Sequence, residues 1–183
     1  EMDECIAKAL EINDRPVVVE FVVHKDAMAM DGSNPTLLYG YGGFQNSLLP
    51  GYSPTVGKLW LERGGVYVIA NTRGGGEFGP RWHDAALQEN RQRAHEDFQA
   101  VALDLIARDI TSQPKLGIMG GSNGGLLVGN MLVRYPEILG AVVCTVPLLD
   151  MLRYPQLLAG AELGGRIDQG HVHGNDLPGR DRL

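Results

Sequence analysis

The strongest chemical signal in this sequence is Gly120-Gly121-Ser122-Asn123-Gly124, a serine spaced G-x-S-x-G. A serine hydroxyl is a weak nucleophile until a base takes its proton and its own backbone holds it clear. Small neighbours let a strand turn sharply into a helix, because no side chain collides where the two segments cross. The serine then stands at the tip of the turn. The N–H of the next residue, Asn123, points at the charge that develops on an attacked carbonyl, and the helix N-terminus adds a favourable partial charge. Other glycine-rich chemistry fits poorly. A phosphate loop wants Lys and then Ser or Thr after the glycines, whereas Gly125-Leu126-Leu127 stands here. A dinucleotide G-x-G-x-x-G finds no matching window in residues 117–125.

Such a turn needs a strand before it and a helix after it. Leu116-Gly117-Ile118-Met119 reads as the strand, and residues 126–135 read as a helix stopped by Pro136. Further strands are expected at 17–23, 36–39, 65–70 and 141–146. Helical spacing occurs at 55–63. The best helix is 92–109, with Phe98, Val101, Ala102, Leu105 and Ile106 on one face. Strands that are apolar throughout, alternating with helices, predict an α/β fold: a mostly parallel sheet with helices on both faces. Ligands sit at the carboxyl ends of such strands. Glycine clusters at 40–43, 74–76 and 120–125 each follow a strand, so they are expected to meet at that edge. Strand, elbow and helix together indicate an α/β-hydrolase-like fold with Ser122 as nucleophile.

Four stretches resemble the prolyl oligopeptidase family of serine peptidases. They are Leu38-Tyr39-Gly40-Tyr41-Gly42-Gly43-Phe44, Asn71-Thr72-Arg73-Gly74-Gly75-Gly76-Glu77-Phe78-Gly79, Glu96-Asp97-Phe98, and Gly120-Gly121-Ser122-Asn123-Gly124-Gly125-Leu126-Leu127. The resemblance runs from about residue 20 to about residue 160. It implies that Tyr41 supplies a second oxyanion donor through its hydroxyl. It implies that Phe44 and Leu148 line an apolar pocket for a proline side chain. It places Arg73, Glu77 and Asp97 as loop-organising ion pairs. His83, after Trp82, is read as structural.

In this fold the acid and the base follow the nucleophile in the order Ser, Asp or Glu, His. In the family they lie on loops after two further strands, and the sequence beyond Ser122 offers one clear strand, 141–146. His171 and His173 follow Asp150 and Asp168 in the right order, but in a Gly-rich segment with no strand to aim them. Two histidines at i, i+2 without a third ligand make a poor metal site. Leu163 stands where the family has a pocket tryptophan, and no counterpart of the family's N-terminal propeller is recognised. The expectation is a partial catalytic domain, residues 1–163, incomplete at its C-terminal end, and an irregular or disordered tail, residues 164–183. Without strands beyond it, strand 141–146 is expected to be an open edge through which copies of the chain associate.

Composition narrows the classes further. Hydrophobic residues make up 44% and charged residues 21%, as in ordinary globular proteins. A net charge of −6 disfavours nucleic acid as a partner. No apolar run approaches the ~20 residues of a membrane helix, and no secretory leader is recognised. Cys5 and Cys144 do not suggest a disulfide framework, so a cytoplasmic location is expected, with Cys144 read as a buried small hydrophobe. No cofactor or metal is called for. The function read here is an oligopeptidase cleaving after proline through an acyl-enzyme, acting on short proline-containing peptides or small esters. The alternatives are a catalytically incomplete fragment or pseudoenzyme, and a small carboxylesterase.

Overall fold

The computed structural model describes residues 17–19, 28–151 and 153. Strand residues 20–23 and everything from 154 onward, including Leu163, Asp168, His171, His173 and the expected boundary at 163/164, lie outside the described residues. Five strands are described: β1 (Val17–Val19), β2 (Thr36–Gly40), β3 (Val66–Asn71), β4 (Leu116–Gly121) and β5 (Ala141–Thr145). They form one sheet in the order β1-β3-β2-β4-β5. The β3–β2–β4–β5 pairings are parallel, and β1 runs antiparallel to β3.

Four α-helices connect them: α1 (Pro54–Leu59), α2 (Pro80–Asp84), α3 (Gln92–Ala107) and α4 (Asn123–Arg134). The helical spacing at 55–63 splits into α1 and a 3-10 turn at Leu61–Arg63, closed by Gly64 at φ 82. Helix α2 has no apolar period of its own. Its start is set by Gly79 at φ 85 followed by Pro80, whose fixed φ suits a first helical turn.

One face of the β2, β3 and β4 portion of the sheet is buried. Leu38, Val68, Ala70, Leu116 and Ile118 pack there with Phe98, Val101, Ala102 and Leu105 of α3 and Leu127, Val128 and Met131 of α4. Alternate residues point to the other face, where Leu37, Tyr39, Tyr67, Ile69 and Met119 are half-buried. The Tyr39 and Tyr67 rings meet there at 6.5 Å between centroids. Burial, with the Tyr39 ring beside it, pushes the Tyr67 hydroxyl up to about 12.

The parallel register puts the ends of β2, β3, β4 and β5 at one edge, with Gly40 beside Ala70 and Gly121 beside Thr145. β5 is the outermost described strand on its side, and four of its five residues are exposed. Cys144 is therefore exposed rather than buried, because among the described residues no strand pairs with the outer side of β5. Its thiol donates to the Gly125 carbonyl at 3.2 Å.

Candidate active site

Ser122 sits between the end of β4 and the first residue of α4, with φ 56 and ψ −115. A left-handed φ at a residue with a Cβ is strained, and this one is enforced from several sides. The Ser122 N–H donates to the Thr145 carbonyl at 3.0 Å, and its carbonyl accepts from Leu126 N at 3.1 Å, which opens the helix. A Cβ on Gly120 would strike the Gly124 carbonyl carbon at 2.5 Å, and one on Gly124 would strike the Gly40 carbonyl. The helix therefore begins at Asn123, three residues before its apolar period starts.

Tyr41 follows β2 directly and is half-buried. Its carbonyl accepts from Asn123 Nδ2 at 2.5 Å. Asn123 is 0% exposed. Gly42, at φ 59, lies against the Thr72 hydroxyl, and Gly43 lies directly on the Asn123 amide. Phe44 and Gln45 both turn through positive φ, 54 and 53, and Phe44 is half-buried. Leu148 is half-buried in the segment that leaves β5, after Val146 at φ 39. Val146 is β-branched, so this φ is an outlier next to the elbow.

The loop after β3 is the third component. Gln45 N donates to the Gly74 carbonyl at 3.3 Å, and a Cβ on Gly74 would meet the Gly42 carbonyl oxygen at 2.8 Å. The three glycine clusters thus converge at one edge. Arg73 is fixed by Asp97, with Nη2 2.5 Å and Nε 2.8 Å from its carboxylate, while Arg73 N donates to the same group at 2.9 Å. That hydrogen-bonded carboxylate raises the guanidinium pKa. Glu77 organises its loop differently from the expected ion pair. Its Oε1 accepts from Leu48 N at 2.8 Å, and burial raises its carboxyl pKa. His83 Nδ1 lies 2.7 Å from the Gly74 carbonyl, joining α2 to the same loop.

His95, on α3, is 5% exposed, and among the described residues neither ring nitrogen has a hydrogen-bond partner. Burial, with Arg91 and then Arg134 adding their charge, pushes it down to about 3, so the ring is neutral at pH 7. Asp150 is paired with Arg153, whose Nε stands 2.5 Å away and whose hydrogen bonds hold the carboxyl below its usual range. Arg91 was not singled out by its sequence context. It is 9% exposed and donates to the Gly42 carbonyl at 2.5 Å and to Asn123 Oδ1 at 3.1 Å.

A parallel sheet, a strained serine between strand and helix at its carboxyl edge, and a neighbouring loop from β2 define an α/β-hydrolase domain. Comparison narrows the class. The sequence matches the prolyl oligopeptidase family over residues 51–162. It is 58% identical over 148 residues to an uncharacterized peptidase of Sinorhizobium fredii, covering 81% of this chain and 20% of that protein. It is 42% identical over 140 residues to the prolyl endopeptidase of Elizabethkingia miricola, covering 76% of this chain and 20% of that one. Among solved structures, a post-proline cleaving enzyme from Rickettsia typhi superposes with a TM-score of 0.74 at 45% identity, over 81% of this chain and 23% of that one. The chain belongs to the prolyl oligopeptidase family, and it spans about a fifth of the length of these curated relatives. Among the described residues, no helix is long and apolar enough to cross a membrane.

Proposed function

We propose that these residues form the nucleophile half of a serine peptidase that cleaves short peptides after proline. The observation that carries the reading is the strained Ser122, at φ 56 between β4 and α4. Ser122 Oγ attacks the carbonyl carbon of the proline residue, and a histidine outside the described residues takes its proton. The tetrahedral oxyanion is met by the Asn123 N–H and the Tyr41 hydroxyl, with the α4 N-terminus adding its dipole. The C–N bond then breaks, the leaving amine takes the proton from the histidine, and water releases the acyl group from Ser122. Phe44 and Leu148, both half-buried, offer apolar walls for the proline ring. Small esters with a proline acyl group suit the same site, because their leaving group demands less protonation.

The test is hydrolysis of chromogenic peptides with proline or alanine before the scissile bond, using the full-length gene product and its Ser122→Ala variant. Cleavage confined to the proline substrate and abolished in the variant is expected. Activity that survives Ser122→Ala would defeat the assignment, and turnover of esters without any peptide cleavage would favour a carboxylesterase. Fluorophosphonate labelling of the 183-residue chain alone locates the base. Slow labelling places it outside these residues, and rapid labelling lost in Ser122→Ala points to His171 or His173.

A further inference from the structure

The side chain of Asn123 makes contacts that an oxyanion role of its main-chain N–H does not require. Its Nδ2 donates to the Tyr41 carbonyl at 2.5 Å, and its Oδ1 accepts from Arg91 Nη2 at 3.1 Å. Arg91 Nη1 donates to the Gly42 carbonyl at 2.5 Å. One guanidinium and one carboxamide thus hold two consecutive carbonyls of the loop after β2. All three bonds are long-range, spanning 49, 32 and 82 residues of sequence. Gly43 closes the arrangement from the loop side, since a Cβ there would come within 2.9 Å of Asn123 Cγ. Burying a guanidinium is costly unless its donors are used. Here two of them are used on the loop that carries Tyr41 and on the residue that follows the nucleophile.

We propose that Arg91 and the Asn123 side chain are positioning residues that set the Tyr41 hydroxyl against the Asn123 N–H, so that one buried network assembles the oxyanion site. This rests on the reading of Ser122, Tyr41 and Asn123 given above. The planar fork of arginine reaches the Gly42 carbonyl and Asn123 Oδ1 together. A lysine ammonium presents one point of charge and cannot replace that geometry. Oxyanion donors act only when they lie within hydrogen-bond distance of the developing charge, and a shift of about 1 Å can cost on the order of 100-fold in rate.

The test is a double-mutant cycle in the full-length gene product, with kcat and KM measured separately. Tyr41→Phe alone is expected to lower kcat about 100-fold. Arg91→Lys alone is expected to lower kcat at least about tenfold with KM little changed. In the Tyr41→Phe background, Arg91→Lys should cost less than about threefold, because the group it positions is gone. An equal loss in both backgrounds would make Arg91 a general structural residue and overturn the proposal alone. An undiminished kcat in Tyr41→Phe would overturn the oxyanion reading and the proposal with it. Thermal melting checks that each variant is folded. Should Arg91→Lys not fold, Gly43→Ala perturbs Asn123 from the opposite side with Arg91 intact. It should show the same kcat loss and the same dependence on the Tyr41 hydroxyl, and additivity there overturns the proposal equally.

Discussion

The backbone N–H of Ser122 donates to the carbonyl of Thr145 at 3.0 Å, which ties the strand-to-helix elbow at Ser122 to the end of β5. The Thr145 hydroxyl also donates to the Gly120 carbonyl at 3.4 Å. On the other side, Gly124 packs on the Gly40 carbonyl. The elbow is therefore gripped between two parallel strands, and its geometry depends on both.

The tightness of that grip can be measured with one methyl group. A Cβ on Gly125 would meet Pro147 Cα and Cβ at 2.8 Å and the Thr145 carbonyl oxygen at 3.0 Å. Gly125→Ala should destabilise the fold by about 2 kcal/mol, the usual cost of overpacking. Among the described residues, Gly57 in α1 has nothing within 4 Å of the same position. Gly57→Ala should be neutral or stabilising by up to about 1 kcal/mol, because it only restricts the unfolded chain. Denaturant unfolding of both variants checks this. A Gly125→Ala protein as stable as its parent would show that the 145–147 segment yields readily.

Asp97 is 1% exposed and accepts from the backbone and the guanidinium of Arg73. Arg73 keeps 18% of its side chain exposed, so removing the carboxylate leaves a partly solvated guanidinium and an unpaired backbone N–H, at a cost of about 1–3 kcal/mol. Asp97→Ala should lose that much stability and should loosen the loop after β3. Chemical denaturation gives the loss, and limited proteolysis at Arg73 reports the loop. A loss below about 1 kcal/mol would mean that water replaces the carboxylate there.

His95 gives the fold a predictable response to acid. Burial depresses its folded pKa to about 3 from the ordinary 6.5 of an imidazole, so the unfolded state binds the proton more readily. Its stabilising contribution is complete above about pH 6.5. It is lost as pH falls toward 3, at up to about 1.4 kcal/mol per pH unit. Melting temperatures between pH 7 and pH 4.5 should fall in the parent and fall less steeply in His95→Leu. Parallel curves would show that the ring is already solvated in the folded protein.

The features readable in the sequence are those set by neighbours along the chain. The apolar runs of β2, β3 and β4, the period of α3 and the glycines around Ser122 are local patterns, and each became an element or a turn. Helix α2 was missed because its only signal, Gly79-Pro80, marks a start without an apolar face behind it. Arg91 was missed for a different reason. Its partners at Gly42 and Asn123 are remote in sequence, and a buried arginine at a helix start looks like a solvated one until the sheet brings those carbonyls to it. Cys144 misled because its neighbours Val142 and Val143 are apolar, yet β5 stands at the edge of the described sheet.

That edge supports the last prediction. Among the described residues β5 pairs only with β4, and Val143 is 44% exposed on it, with Val146 80% and Leu149 59% exposed just beyond. An unpaired strand presents a row of N–H and C=O groups, and valines beside that row favour pairing with another chain. Leu132 and Val133 of α4, 50% and 73% exposed, add further exposed apolar surface. The 183-residue chain should therefore self-associate through β5. Sedimentation velocity across a concentration series should show a rising average mass. Val143→Lys should suppress it, because a charge on an edge strand opposes a second strand. The elbow lies one strand in from this edge, so self-association and melting should be linked. Diluting the parent should lower its melting temperature, and diluting Val143→Lys should not. A parent chain that stays monomeric at high concentration and melts sharply above about 65 °C, beyond the usual mesophile range, would mean that β5 is already covered.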